Sequence, residues 1–125
     1  MKERQVMVML LKEGEDDHIR GFILNKSYTM GLFGRLSTGR HNRHTSIDNI
    51  PKGYPPKHRR KFRKIINEMK RPAEQLIIVF PSTGERHVCA NLDQVERGLE
   101  LCNRYRQSVG LPPLDKQFRE IINRS

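Results

Sequence analysis

Tryptophan is absent from this chain of 125 residues, aromatic residues make up 6% and apolar residues only 35%. A core drawn from such a composition is modest and is assembled from Ile, Leu, Val and Met. Scarce aromatics also argue against a stacking platform for single strands. Long hydrophobic runs are missing too. The stretch Val6 to Leu11 is interrupted at once by Lys12 and then by Glu13, Glu15, Asp16 and Asp17. It falls well short of the roughly 20 apolar residues of a membrane span, and it lacks the length and cleavage site of a signal peptide. The expected location is therefore the cytoplasm, with no membrane partner.

Cysteine is nearly absent as well. Cys89 and Cys102 fall on two different expected elements, and a lone pair in a chain of this size reads as two buried thiols. Zinc needs more ligands than His41, His44 and these cysteines offer at their spacing, so no metal is expected. No glycine-rich phosphate loop, nucleophile elbow or paired-carboxylate motif occurs, since Gly31, Gly34 and Gly39 match none of the phosphate-binding fingerprints. No cofactor is expected, and the first reading is not an enzyme.

Acids are scarce where bases are dense. From His18 to Ile66 the chain carries twelve Lys and Arg against Asp48 alone, whereas residues 1–17 hold three bases and five acids and residues 67–125 hold nine and eight. Nearly all of the net charge of +10 thus sits in the front-middle of the chain. Such a lopsided field points to a polyanionic partner. Solubility alone would favour interspersed signs, as they are after Asn67. The basic stretch is rich in Arg with Gly, Asn, Ser, Thr and Tyr interleaved, which supplies forked donors and short polar groups for phosphates and base edges.

The length suits one domain spanning 1–125. Val6 to Leu11 is too short and too evenly apolar for an amphipathic helix and reads as a buried strand. Residues 13–17 then read as a turn, and 18–24 as a returning strand, giving an N-terminal hairpin. Asn25 to Gly34 is ambiguous. Residues 35–56 read as a basic loop or arm that lacks the apolar periodicity to order itself, closing at Pro55-Pro56. A helix over 57–70 follows, because Phe62, Ile65, Ile66 and Met69 fall at i, i+3, i+4 and i+7. Its first two turns crowd together Lys57, Arg59, Arg60, Lys61, Arg63 and Lys64 at the positive end of the helix dipole, a self-repulsion that an anion would relieve.

Residues 75–80 form a strand, Pro81 to Gly84 a turn, and 86–90 a second strand. Asn91 caps the helix over 92–109, on which Val95, Leu99, Cys102 and Val109 form one stripe with Tyr105 beside it, and Gly110 ends it. A short helix over 115–123 presents Phe118, Ile121 and Ile122 for docking or for a second subunit in a homodimer. The expected class is α+β: N-terminal and C-terminal hairpins sharing one small antiparallel sheet, two main helices packed on it, and a short C-terminal helix.

The strand, strand, helix order of residues 75–110 resembles the small DNA-binding modules of AP2 domains and integrase arm-binding domains. The tryptophan and the glycine-aromatic turn usual in such modules are missing, with Cys89-Ala90-Asn91 in their place. The resemblance covers under a third of the chain, and many unrelated domains share the order. What it implies is that Gln75, Arg86 and His87 contact bases or phosphates.

The expected function is nucleic-acid binding without catalysis, DNA favoured over RNA. The contacts are expected from Arg35, Arg40, Arg43, Lys57, Arg59, Arg60, Arg63, Lys64 and Arg86, with Tyr54 as a stacking surface for a base. The alternative is a small phage- or plasmid-type regulator or inhibitor that binds an acidic surface of a nucleic-acid-processing protein complex. A third reading, a metal-independent ribonuclease, would need His41, His44, His58, His87, Arg86 and Glu85 to converge.

Overall fold

The computed structural model describes the backbone of residues 2–41 and 43–114 together with Phe118 and Glu120, and the side chains of these except 2–13, 40 and 41. The fold is α+β. Three helices, α1 (Lys2–Thr29), α2 (Arg59–Met69) and α3 (Val95–Ser108), accompany five short strands. The strands are β1 (Phe33–Arg35), β2 (Arg40–His41), β3 (Thr45–Ser46), β4 (Ile77–Ser82) and β5 (Glu85–Asn91). No described helix is long and apolar enough to cross a membrane.

The expected N-terminal hairpin is instead the single helix α1. Its decisive pattern lies late in the element. Ile19, Ile23, Leu24, Ser27 and Tyr28 are all buried, a helical spacing that the strand reading of 18–24 divided between two faces. Glu15 and Asp16, read as part of a turn, instead hold the helix to α2, while Asp17 pairs within α1. Arg20 meets Asp17 at 3.3 Å, Glu68 at 2.7 Å and Glu74 at 2.9 Å, while Lys61 meets Glu15 at 2.9 Å and Asp16 at 3.1 Å. Gly14 does not end the helix. Gly31 does, with φ of 71° and paired amide bonds from Leu32 to Ser27 and from Gly31 to Tyr28, the Schellman arrangement.

The sheet is mixed rather than antiparallel. β5 is its centre, with β4 antiparallel along one edge, β3 antiparallel and β1 parallel along the other, and β2 antiparallel to β1. The β4–β5 hairpin closes on Thr83-Gly84, whose φ values of 51° and 80° are both positive. That is the mirror-image turn that matches the twist of paired strands. The strands therefore run through Pro81 and Ser82, which the sequence reading gave to the turn.

Residues 35–56 hold β2, β3 and a 3₁₀ turn at Ile47–Asn49 within otherwise irregular chain. Lys26 of α1 secures this segment by donating to the carbonyls of Asn49, Ile50 and Lys52 at 2.8, 3.2 and 2.6 Å. A second 3₁₀ turn, Pro56–His58, leads directly into α2. Phe62, Ile65, Ile66 and Met69 of α2 are buried, as the periodicity predicts.

On α3 the buried face is Gly98, Leu99, Leu101 and Cys102. Val109 lies beyond the helix end and is exposed, because Gly110, with positive φ, turns the chain away. Cys89 and Cys102 are separate buried thiols, and burial pushes them up to about 11 and about 12. Phe118 is buried against Tyr28 and Phe33 of its own chain, so its apolar surface is used internally rather than offered to a second subunit. Ile121 and Ile122 lie outside the described residues.

Asn91 connects three segments. Its Oδ1 accepts from the amides of Leu36 at 3.2 Å and Asp93 at 3.1 Å, and its Nδ2 donates to the Gln75 carbonyl at 2.8 Å. It is 1% exposed. Asn91→Ala would leave these backbone groups without partners and is expected to cost about 2 kcal/mol, read as a lowered midpoint in urea with an unchanged slope.

Candidate nucleic-acid interface

The basic residues fall into two sets. In the first, the charge is already neutralised inside the fold. Arg20 is held by three carboxylates and Lys61 by two, and Arg35 meets Asp93 at 3.3 Å. Burial works to raise the Asp93 carboxyl, but the Ser37 amide and hydroxyl and Arg35 outweigh it and hold it below its ordinary range. The hydrogen bond from Lys61 likewise draws Glu15 down. Arg35 therefore ties β1 to the turn that precedes α3.

The second set is exposed. Lys57 in the turn before α2, and Arg59, Arg60, Arg63 and Lys64 on the helix, carry no ion partner among the described residues. Arg60 and Lys64 stand on the face opposite the buried stripe, while Arg59 and Arg63 flank it. The first turn of α2 holds no acid of its own, and Glu15 and Asp16 of α1 reach its Lys61 and its N-cap His58 but none of the exposed cations. Lys61 is the exception, turned onto α1.

Three of the expected contacts share one groove. Arg59 and Arg63 of α2 face Arg86 of β5 across a groove of about 540 Å³, floored by Ile47, Phe62 and Ile66. Asp48 and Glu85 also line it, leaving positive charge in excess. Asn67, which the sequence reading passed over, lies on the same wall. The pattern that would have found it is Arg60, Arg63, Lys64 and Asn67 at i, i+3, i+4 and i+7, a polar stripe as regular as the apolar one.

The remaining expectations are distributed elsewhere. Arg43 is exposed beside Gly31 at the end of α1. Arg40 lies on β2, its side chain outside the description. Tyr54 is built into an aromatic cluster with Phe22, Phe62, His18 and His58. Its hydroxyl is 2.9 Å from His18 Nδ1. Its ring and hydroxyl thus help hold residues 51–58 to α1 and α2, and its side chain is half-buried. Gln75 is half-buried with φ of 48° and its carbonyl serves Asn91.

The histidines divide as well. His44 and His87 meet Nδ1 to Nδ1 at 2.9 Å, with Phe80 against them and Glu85 3.8 Å from His87 Nε2. By strand alternation they share a sheet face with Cys89, opposite the face of Val88 and Ala90 that packs on the helices. His58 is 3.3 Å from Glu15 on the α1 side, and the His41 side chain is outside the description. Among the described residues no group of three or more potential ligands could hold a metal.

His18 gives the molecule a pH dependence. Its Nε2 is 3.1 Å from Ser108 Oγ, and burial lowers its pKa. As pH falls, the unfolded chain takes up this proton first. The stabilisation is therefore complete above the unfolded value, about 6.5, and declines as pH drops below it toward the folded value. Thermal unfolding is expected to show a midpoint that falls from pH 7 to pH 5, and a smaller fall in His18→Gln.

Comparison with protein-family models, with curated proteins and with solved structures gives no match.

Proposed function

We propose that this protein binds nucleic acid, with duplex DNA as the favoured partner, through the exposed face of α2 and the groove beside it. The observation that carries the reading is the convergence of Arg59, Arg63 and Arg86 from two separate elements on one open groove. Lys57, Arg60 and Lys64 extend the same positive surface. Three cations elsewhere in the front half, Arg20, Arg35 and Lys61, have carboxylate partners.

The major groove of a duplex admits a helix or a two-stranded ribbon, and α2 carries exposed cations from Arg59 to Lys64.

The cheapest test is what accompanies the protein on purification. Absorbance at 260 nm that disappears after nuclease treatment and high salt, and fluorescence-anisotropy binding of a 20-base-pair duplex at low salt, are the expected results. A protein free of nucleic acid that leaves the duplex unbound would contradict the proposal.

A further inference from the structure

Resting on the duplex-binding reading, we infer that Arg63 and Asn67 are a base-reading pair, Arg63 for guanine and Asn67 for adenine. They are four residues apart on α2, which places them on one face about 6 Å apart along the axis. Both line the open groove, both are exposed, and neither has a hydrogen-bond or ion partner among the described residues.

Asparagine is a poor helix former, and this one stands exposed in the last turn of α2, which ends at Met69. Its amide engages no backbone group and no neighbour among the described residues. A side chain that weakens the helix and contributes no internal contact is free to serve a ligand.

The chemistry selects the ligand groups. An arginine fork fits the O6 and N7 of guanine, and an asparagine amide fits the N6 and N7 of adenine, both on the major-groove edge. Bases along one strand are spaced 3.4 Å apart, so a separation of about 6 Å brings the two target bases within about two steps of each other. Asp48 and Glu85 in the same groove accept only from a donor such as the cytosine amino group. Lys57, Arg59, Arg60, Lys64 and Arg86 meet the phosphates, which position the helix, while Arg63 and Asn67 read the bases.

The test is selection from a pool of duplexes with ten randomised base pairs, using the wild type, Asn67→Ala and Arg63→Lys, followed by binding to the selected site. The wild type is expected to enrich a guanine and an adenine within about two steps of each other. Replacing that adenine should weaken wild-type binding roughly 10- to 100-fold and Asn67→Ala binding by less than about 2-fold. Arg63→Lys, which keeps the charge but loses the fork, should lose the guanine preference while keeping its salt dependence. A pool that remains random while binding stays strongly salt-dependent overturns the base-reading pair and leaves the duplex-binding reading standing. A pool from which no duplex is retained at low salt overturns both.

Discussion

Gly21→Ala is expected to destabilise the protein by about 3 kcal/mol, near the upper end of what overpacking usually costs, whereas Gly14→Ala, seven residues earlier in the same helix, should stabilise it by about 0.5–1 kcal/mol. A methyl group at position 21 would sit 2.5 Å from the Leu101 carbonyl oxygen and 2.6 Å from Tyr105 Cβ, both parts of α3 that cannot swing aside. To admit it, α1 must move off α3, and these helices make the most extensive contact in the fold. At position 14 the added methyl meets nothing within 4 Å, so only the gain in helix propensity remains. Gly98 is the reciprocal feature on α3, lying against the Tyr28 hydroxyl. Thermal unfolding of the two variants tests the crossing directly. A fall of about 12 °C for Gly21→Ala is expected, and equal shifts for both would mean that α1 does not cross α3 here.

The second large effect concerns binding. Arg59→Ala, Arg60→Ala and Arg86→Ala combined should weaken duplex binding by about 10²- to 10³-fold near 0.1 M salt, because each lost phosphate contact forgoes its share of counterion release. All three side chains are exposed, so the fold should be unaffected and a wild-type unfolding midpoint serves as the control. Arg97→Ala with Arg104→Ala offers the contrast. These arginines pair with Glu100 on α3 at 3.2 and 2.7 Å, and their loss should change affinity by less than about 3-fold. Equal losses from the two sets would show that net charge alone governs binding.

The back half of the chain was readable because its patterns are local. α2 shows four apolar residues at helical spacing, β4 is an apolar run bounded by Pro72 and Gly84, and Asn91 caps the turn that opens α3. α1 was not readable in this way. Its burial stripe from Ile19 to Tyr28 is set by α2, α3 and the sheet, and Gly21 within it looks like a breaker until the backbone of α3 is seen beside it. Glu15 and Asp16 resemble a turn for the same reason, since their partners Lys61 and His58 are made neighbours only by the fold.

The same limit applies to the basic residues. Charge density alone treated Arg35 and Arg63 alike, yet Asp93 lies 58 positions beyond Arg35 and neutralises it, while Arg63 is left unpaired. The packing of Tyr54 on Phe22 is likewise not legible, because Phe22 lies far earlier in the sequence. Conversely, the union of α2 with Arg86 could not be anticipated, because the pairing of Ser46 with His87 that brings β5 beside the start of α2 joins two strands of unremarkable sequence.

The central claim is that unpaired cations on and beside α2 replace the counterions of a duplex, and its most direct test is the dependence of affinity on salt. With Lys57, Arg59, Arg60, Lys64 and Arg86 on phosphates, a plot of log affinity against log salt concentration is expected to fall with a slope of about −4.5. A slope near zero, or binding to a protein partner that persists after nuclease treatment with no affinity for duplex DNA, would contradict it.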